Sequence, residues 1–128
     1  MKITLTSVVV DDQDKAEAFY VGKLGFIKKQ DFAAGGGRWL TVASPEGPEG
    51  VELALEPAGF DFAKTYCKAL RDNGIPFTAF GVDDIDAEYS ELTARGVVFK
   101  GPPRKGEVGP ATAVFDDTCG NWIMIYQI

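Results

Sequence analysis

Apolar positions along the chain fall into two spacings. Extended runs lie at Ile3–Val10, Phe26–Ala33, Arg38–Ala43 and Val51–Glu56, and again at Phe77–Val82, Val97–Lys100, Thr112–Phe115 and Trp122–Gln127. Helical spacing appears in Asp14–Leu24, where Ala16, Phe19, Tyr20 and Leu24 share a face, and in Ile85–Ala94. Gly35-Gly36-Gly37, Ser44–Gly50, Gly101–Pro110 and Thr118–Asn121 supply the turns. A third helix is predicted over Asp61–Asn73, with Asp61 at its start and Asn73-Gly74 and Pro76 at its end. Its stripe of Phe62, Tyr66, Ala69, Leu70 and Asn73 is expected to face a core or an interface.

The order of elements repeats. Val10-Asp11-Asp12-Gln13-Asp14 and Val82-Asp83-Asp84-Ile85-Asp86 share the pattern V-D-D-x-D, 72 positions apart. Each follows an extended run and precedes a helix whose end is marked by glycine, Gly25 or Gly96. Aspartate at a helix start accepts from orphan N–H groups, and glycine past the end takes the left-handed cap. Capping thus accounts for both acidic clusters without a metal.

Composition narrows the class. A chain of 128 residues with 45% hydrophobic and 25% charged residues is the size and balance of one globular domain. No run approaches the ~20 apolar residues of a spanning helix. The N-terminal stretch turns acidic before a secretory segment can form, so a cytoplasmic location is expected. The net charge of −6 offers no basic patch for nucleic acid. Cys67 and Cys119 read as reduced, structural thiols. The absence of histidine removes His-based triads, the His general base and the commonest metal ligand.

With two βαβββ modules, the motif Asp-x-x-Lys-Ala-x-x-Phe-Tyr-x-x-x-Leu-Gly-Phe from Asp12 to Phe26, and Asp117-Thr118-Cys119-Gly120-Asn121 before the last strand, the chain resembles the vicinal oxygen chelate superfamily of glyoxalases, extradiol dioxygenases and bleomycin-resistance proteins. The resemblance implies an α+β fold: two tandem βαβββ modules, about 1–56 and 75–128, joined by a helical connector at about 57–74. Together they would make one domain with a curved half-barrel sheet. The family's metal positions carry over to Leu5, Glu52, Phe77 and Met124, with both pairs again 72 apart. Only Glu52 is a plausible ligand there, so no metal and no cofactor are expected.

Strand alternation assigns the remaining residues. Val51, Leu53, Leu55, Ile123 and Ile125 should pack under helices. The opposite face is the one on which the resemblance implies a concave cavity, lined by Leu5, Ser7, Glu52, Ala54, Phe77, Ala79, Trp122, Met124 and Tyr126, with Arg38 or Trp39 as candidates for its rim. Such a lining suits a partly apolar organic ligand with Glu52 as its main polar contact. Three functions stay open: a metal-free binding protein, an enzyme using Glu52 as acid or base, and a domain with a vestigial cavity. A homodimer is expected, since an open sheet leaves edge strands to pair.

Overall fold

A computed structural model describes residues 1–128. The elements run β1 (Leu5–Val10), α1 (Gln13–Tyr20), β2 (Ile27–Ala34), β3 (Gly37–Ala43), β4 (Glu52–Pro57) and α2 (Asp61–Asp72). They continue with β5 (Thr78–Val82), α3 (Ile85–Ala94), β6 (Val98–Phe99), β7 (Arg104–Lys105), β8 (Ala111–Asp116) and β9 (Trp122–Gln127). The fold is α+β with two mixed sheets, and each sheet carries the βαβββ order. The chain forms two compact units, Met1–Tyr66 and Cys67–Ile128. No helix is long and apolar enough to cross a membrane.

Unit 1 holds a sheet in the order β1-β4-β3-β2, parallel between β1 and β4 and antiparallel elsewhere. Alternation puts Val8, Val10, Leu40, Val42, Leu53 and Leu55 on one side, all buried, against Ala16, Phe19 and Tyr20 of α1. Each aliphatic so buried contributes roughly 1.5–3 kcal/mol. The helix starts where Asp12 Oδ1 accepts the N–H groups of Asp14 and Lys15 at 2.9 and 3.1 Å. It stops at Tyr20 rather than the expected Leu24 because the Phe19 carbonyl then receives both Lys23 and Leu24 N–H, and Gly25 turns the chain at φ 80°.

Unit 2 repeats the plan as β5-β9-β8-β6, with β7 also on β8. Asp84 caps α3 by accepting the Ala87 N–H at 3.0 Å, and Gly96 ends it at φ 85°. Ile85 and Leu92 of that helix are buried with Ala113, Phe115, Ile123 and Ile125. Tyr89, Phe99 and Phe115 form a run of edge-to-face rings, 4.8 and 5.5 Å between successive centroids. Strand β7 lies inside the segment expected to be turn alone. β6 and β7 share one edge of β8, the place β2 takes in the first sheet. Pro102 and Pro103 interrupt that edge because neither can donate to a ladder.

The hairpin between β8 and β9 is organised by one carboxylate. Asp117 is fully buried; its Oδ1 accepts the N–H groups of Cys119 and Asn121 at 2.7 and 2.9 Å, and its Oδ2 accepts Asn121 Nδ2 at 2.8 Å.

Register corrects the repeat. Leu5 pairs with Glu52, and Val10 with Pro57. The matching partners in unit 2 are Ile123 for Thr78 and Gln127 for Val82, which sets Phe77 beside Trp122. First strands and helix caps keep the 72-residue spacing, but the last strand has slipped by two. The residue matching Glu52 beside Phe77 is therefore Trp122, not Met124. An even slip keeps side chains on their own faces.

No core covers the α2 stripe, which leaves the interface alternative, and Arg38 does not stand at the expected rim. No residue of α2 is buried, and its Phe62 and Tyr66 are 72% and 58% exposed, so that stripe does not face a core. Arg38 is turned toward α1. Its guanidinium donates to Asp14 at 2.7 Å, Glu17 at 2.5 Å and both oxygens of Asp31 at 3.0 and 2.8 Å. Lys28 joins the cluster through Glu17 and Asp31. Hydrogen bonds from Arg38 and Lys28 hold the Asp31 carboxyl far below its ordinary range, and those from Lys28 and Arg38 lower Glu17. Depressed folded-state values give stability that is complete above the unfolded carboxylate range near pH ~4 and fades as pH falls through the folded values. Arg38→Met should lower stability at neutral pH by about 1–2 kcal/mol, as a paired network rather than a lone surface bridge. It should also flatten the acid limb of the stability curve, as urea titrations between neutral and acid pH would read; an unchanged acid limb would contradict this.

Candidate functional site

In unit 1, the face away from α1 is set by the pairings Leu5 to Glu52, Ser7 to Ala54 and Thr41 to Ala54. Leu5, Ser7, Glu52, Ala54, Trp39 and Thr41 therefore stand together on it. Trp39 stacks on Phe32 of the neighbouring strand, with centroids 6.4 Å apart. Arg38 lies on the opposite side and takes no part.

Glu52 is half-buried, and one of its oxygens is held from two sides. Oε2 accepts Thr41 Oγ1 and Gln30 Nε2, each at 2.7 Å, while Thr41 itself is fully buried. These two donors, Thr41 first, outweigh the effect of burial, and nearby Lys29 adds to them. Together they hold the Glu52 carboxyl below its ordinary range. Glu52 is thus an ionised acceptor at neutral pH. A general base or acid working there needs a raised value, so the environment is tuned the other way. Further along the same face, Ser7 Oγ donates to the exposed Glu56 Oε1 at 2.9 Å.

Gln30 and Lys29 escape a sequence reading because β2 carries a bulge. The register shifts between Lys28 and Gln30, so simple alternation puts them on the wrong sides. Thr41 was recoverable, as it alternates with Trp39.

In unit 2, the corresponding face carries three rows of paired residues. Ala79, Met124 and Val114 form one; Gly81, Tyr126, Thr112 and Arg104 form the next. Trp122 lies beside Asp116 in the third, with Phe77 bonded to its carbonyl at 2.8 Å. Within this row, Gly81 sits close to two side chains. A Cβ there would fall 2.8 Å from the Ile128 side chain and 3.4 Å from the Tyr126 ring.

Trp122 is held at the end of α2. Its Nε1 donates to the Arg71 carbonyl at 3.2 Å, and the Arg71 guanidinium lies 3.7 Å from the ring centroid. Arg71 also pairs with Asp116 at 2.9 Å and donates to the Asn121 carbonyl at 3.1 Å. Lys100 Nζ approaches the same ring at 4.2 Å. Beyond Trp122 lies a depression of about 250 Å³, lined by Lys100, Gly101, Pro102, Arg104, Thr112, Ala113 and Val114. Nothing in the sequence pattern marked Lys100, Arg104 or Thr112: Arg104 lies in the segment read as turn, and Lys100 and Thr112 stand at the ends of short extended runs.

The residues at the expected metal positions do not suit a divalent ion. Leu5 and Phe77 have no donor atom, Met124 offers one soft thioether, and Glu52 already spends one oxygen on Thr41 and Gln30. Replacing Met124 by its register equivalent Trp122 supplies no ligand either. No three His, Cys, Asp or Glu side chains stand together in a metal-binding group. Cys119 is buried, and burial together with the charge of Asp117 raises the Cys67 thiol above its ordinary value. Neither is an activated nucleophile.

Residues 2–125 match the family model described as the Glyoxalase/Bleomycin resistance protein/Dioxygenase superfamily. The chain is 52% identical to the uncharacterized protein YurT of Bacillus subtilis (strain 168), covering 99% of each chain. Among solved structures, UcmS2 is 31% identical with a TM-score of 0.84, covering 100% of this chain and 98% of its own. TnmS3, an antibiotic binding protein from Streptomyces sp. CB03234, is 32% identical with a TM-score of 0.76, covering 99% and 95%.

Proposed function

Because the chain belongs to the glyoxalase/bleomycin resistance protein/dioxygenase superfamily, we propose that it binds a small, partly apolar organic molecule on its open sheet faces, without a metal and without chemistry. The observation that carries this is Glu52: an ionised carboxylate fixed by Thr41 and Gln30 among Leu5, Ala54 and Trp39. A fixed acceptor in such surroundings orients an amine or hydroxyl of a ligand. Leu5, Ala54 and Trp39 offer apolar surface for the rest of it, and the likeness to an antibiotic binding protein points the same way.

A thermal-shift screen of small organic molecules, with and without divalent metals, tests this, since a ligand that binds only the folded chain raises its stability. Stabilisation by organic amines or alcohols that is independent of added metal is the expected result. Metal-dependent stabilisation, or about one transition-metal ion per chain by elemental analysis, would overturn the metal-free part. For a cationic hit, Glu52→Gln should weaken binding by roughly 1–3 kcal/mol, the loss of a charged hydrogen-bond partner. Unchanged affinity would remove Glu52 from the site.

The chain is further proposed to act as a homodimer, a reading supported by the exposed apolar face of α2 and the stacked Phe60–Phe62 pair at 5.1 Å. Sedimentation equilibrium showing only monomer at micromolar concentration would count against it.

A further inference from the structure

In a chain with a net charge of −6, the edge of the unit 2 sheet runs against the overall balance. Lys100 and Arg104 both line the depression of about 250 Å³, and neither forms an ion pair. Asp116, the carboxylate paired in register with Trp122, is already committed to Arg71 at 2.9 Å. Lys100 and Arg104 stand along one edge of β8. Lys100 N–H donates to the Val114 carbonyl at 2.8 Å, and Arg104 pairs with Thr112. Lys100 Nζ lies 4.2 Å from the Trp122 ring centroid, while Arg71, over the same ring at 3.7 Å, is paired with Asp116, so Lys100 supplies the uncompensated charge there. Pro102, Ala113 and Val114 give the lining its apolar part, and Thr112 adds a hydroxyl-bearing residue.

We propose that this depression is a binding site for the anionic group of a small aromatic ligand, a carboxylate, sulfonate or phosphate. The planar guanidinium of Arg104 can take two oxygens of such a group side by side, and Lys100 and Thr112 can take the third. A volume below the about 300–1,000 Å³ of pockets for larger organic molecules fits one substituted ring. The site lies wholly in unit 2 and goes beyond the ligand-binding reading centred on Glu52, which concerns unit 1.

Titration of the isotopically labelled full chain by amide NMR tests it, with benzoate, benzenesulfonate and phenyl phosphate as anions. Benzyl alcohol and benzylamine serve as the neutral and cationic counterparts. The anions should move the Gly101, Thr112 and Val114 amides and the Trp122 indole N–H, and added salt should weaken them. Preference for phenyl phosphate over benzoate assigns a phosphoryl group, and the reverse a carboxylate. The double variant Lys100→Gln, Arg104→Gln changes two exposed side chains and should fold normally while losing affinity about tenfold or more. Glu52→Gln should leave the anion shifts unchanged. Equal shifts from benzyl alcohol, or equal anion affinity in the double variant, would overturn the proposal. Benzylamine responses at Glu52 with none from any anion would overturn it too, while leaving the Glu52 reading intact.

Discussion

Asp117→Ala should lower the unfolding free energy by about 3 kcal/mol, more than a typical surface or turn substitution. The carboxylate is fully buried and accepts three hydrogen bonds, from the Cys119 and Asn121 N–H groups and from Asn121 Nδ2. Alanine leaves all three donors stranded where water has little access, at roughly 1–3 kcal/mol for each one that cannot relax. The hairpin that sets β9 against β8 would loosen with them. Asn121 also anchors Arg71 through its carbonyl, so the Arg71 cover over Trp122 should weaken and tryptophan emission should change. Asp117→Asn keeps one acceptor but sets an amide against the Asn121 amide, and should fall between wild type and alanine. Urea denaturation followed by circular dichroism reads the loss. A cost below about 1 kcal/mol would mean that the hairpin is held by something other than this carboxylate.

Phe115→Ala should cost more still, about 3–5 kcal/mol, the range for truncating a large buried ring. Phe115 is fully buried between α3 and the sheet, edge-on to Phe99 at 5.5 Å, which in turn meets Tyr89 of α3 at 4.8 Å. Truncation removes the transfer free energy of the ring and leaves a hole that two neighbouring aromatics cannot fill without leaving their rotamers. Phe115→Leu refills most of the volume and should cost less than about 1.5 kcal/mol. The pair of values separates packing from mere hydrophobicity. Equal losses in the two variants would show that the ring itself, and not the volume it fills, carries the contribution.

The parts of this molecule that sequence made legible are those specified by neighbours in the chain. Asp12 and Asp84 cap helices, and Gly25 and Gly96 end them, because capping needs only residues one to four positions away. The faces of β4 and β9 were equally plain, since Leu53 and Leu55 alternate with Glu52, Ala54 and Glu56, and Ile123 and Ile125 with Trp122, Met124 and Tyr126. What stayed hidden depends on partners distant in sequence. The side on which Arg38 and Trp39 lie follows from the register of β3 on β4, and Gln30 reaches Glu52 only through a bulge. The amphipathic spacing of α2 reveals that one side is apolar, but periodicity carries no information about what covers it. A two-residue strand such as β7 is too short to have a period at all.

The slip of β9 against β5 bears on how a duplicated module can diverge. The two halves have slid relative to one another by two residues along one strand pair, yet no side chain has changed sides. Sliding by one would have sent Trp122, Met124 and Tyr126 into the helix-packed layer and brought Ile123 and Ile125 out to water. Mutational drift in such a sheet is therefore quantised: insertions and deletions that alter strand pairing survive in even steps. An ancestral ligand position can then migrate to a neighbouring rung while staying on the working face. Glu52 and Trp122 would be two such endpoints of one ancestral rung, one ending as an acid and the other as a ring between two cations.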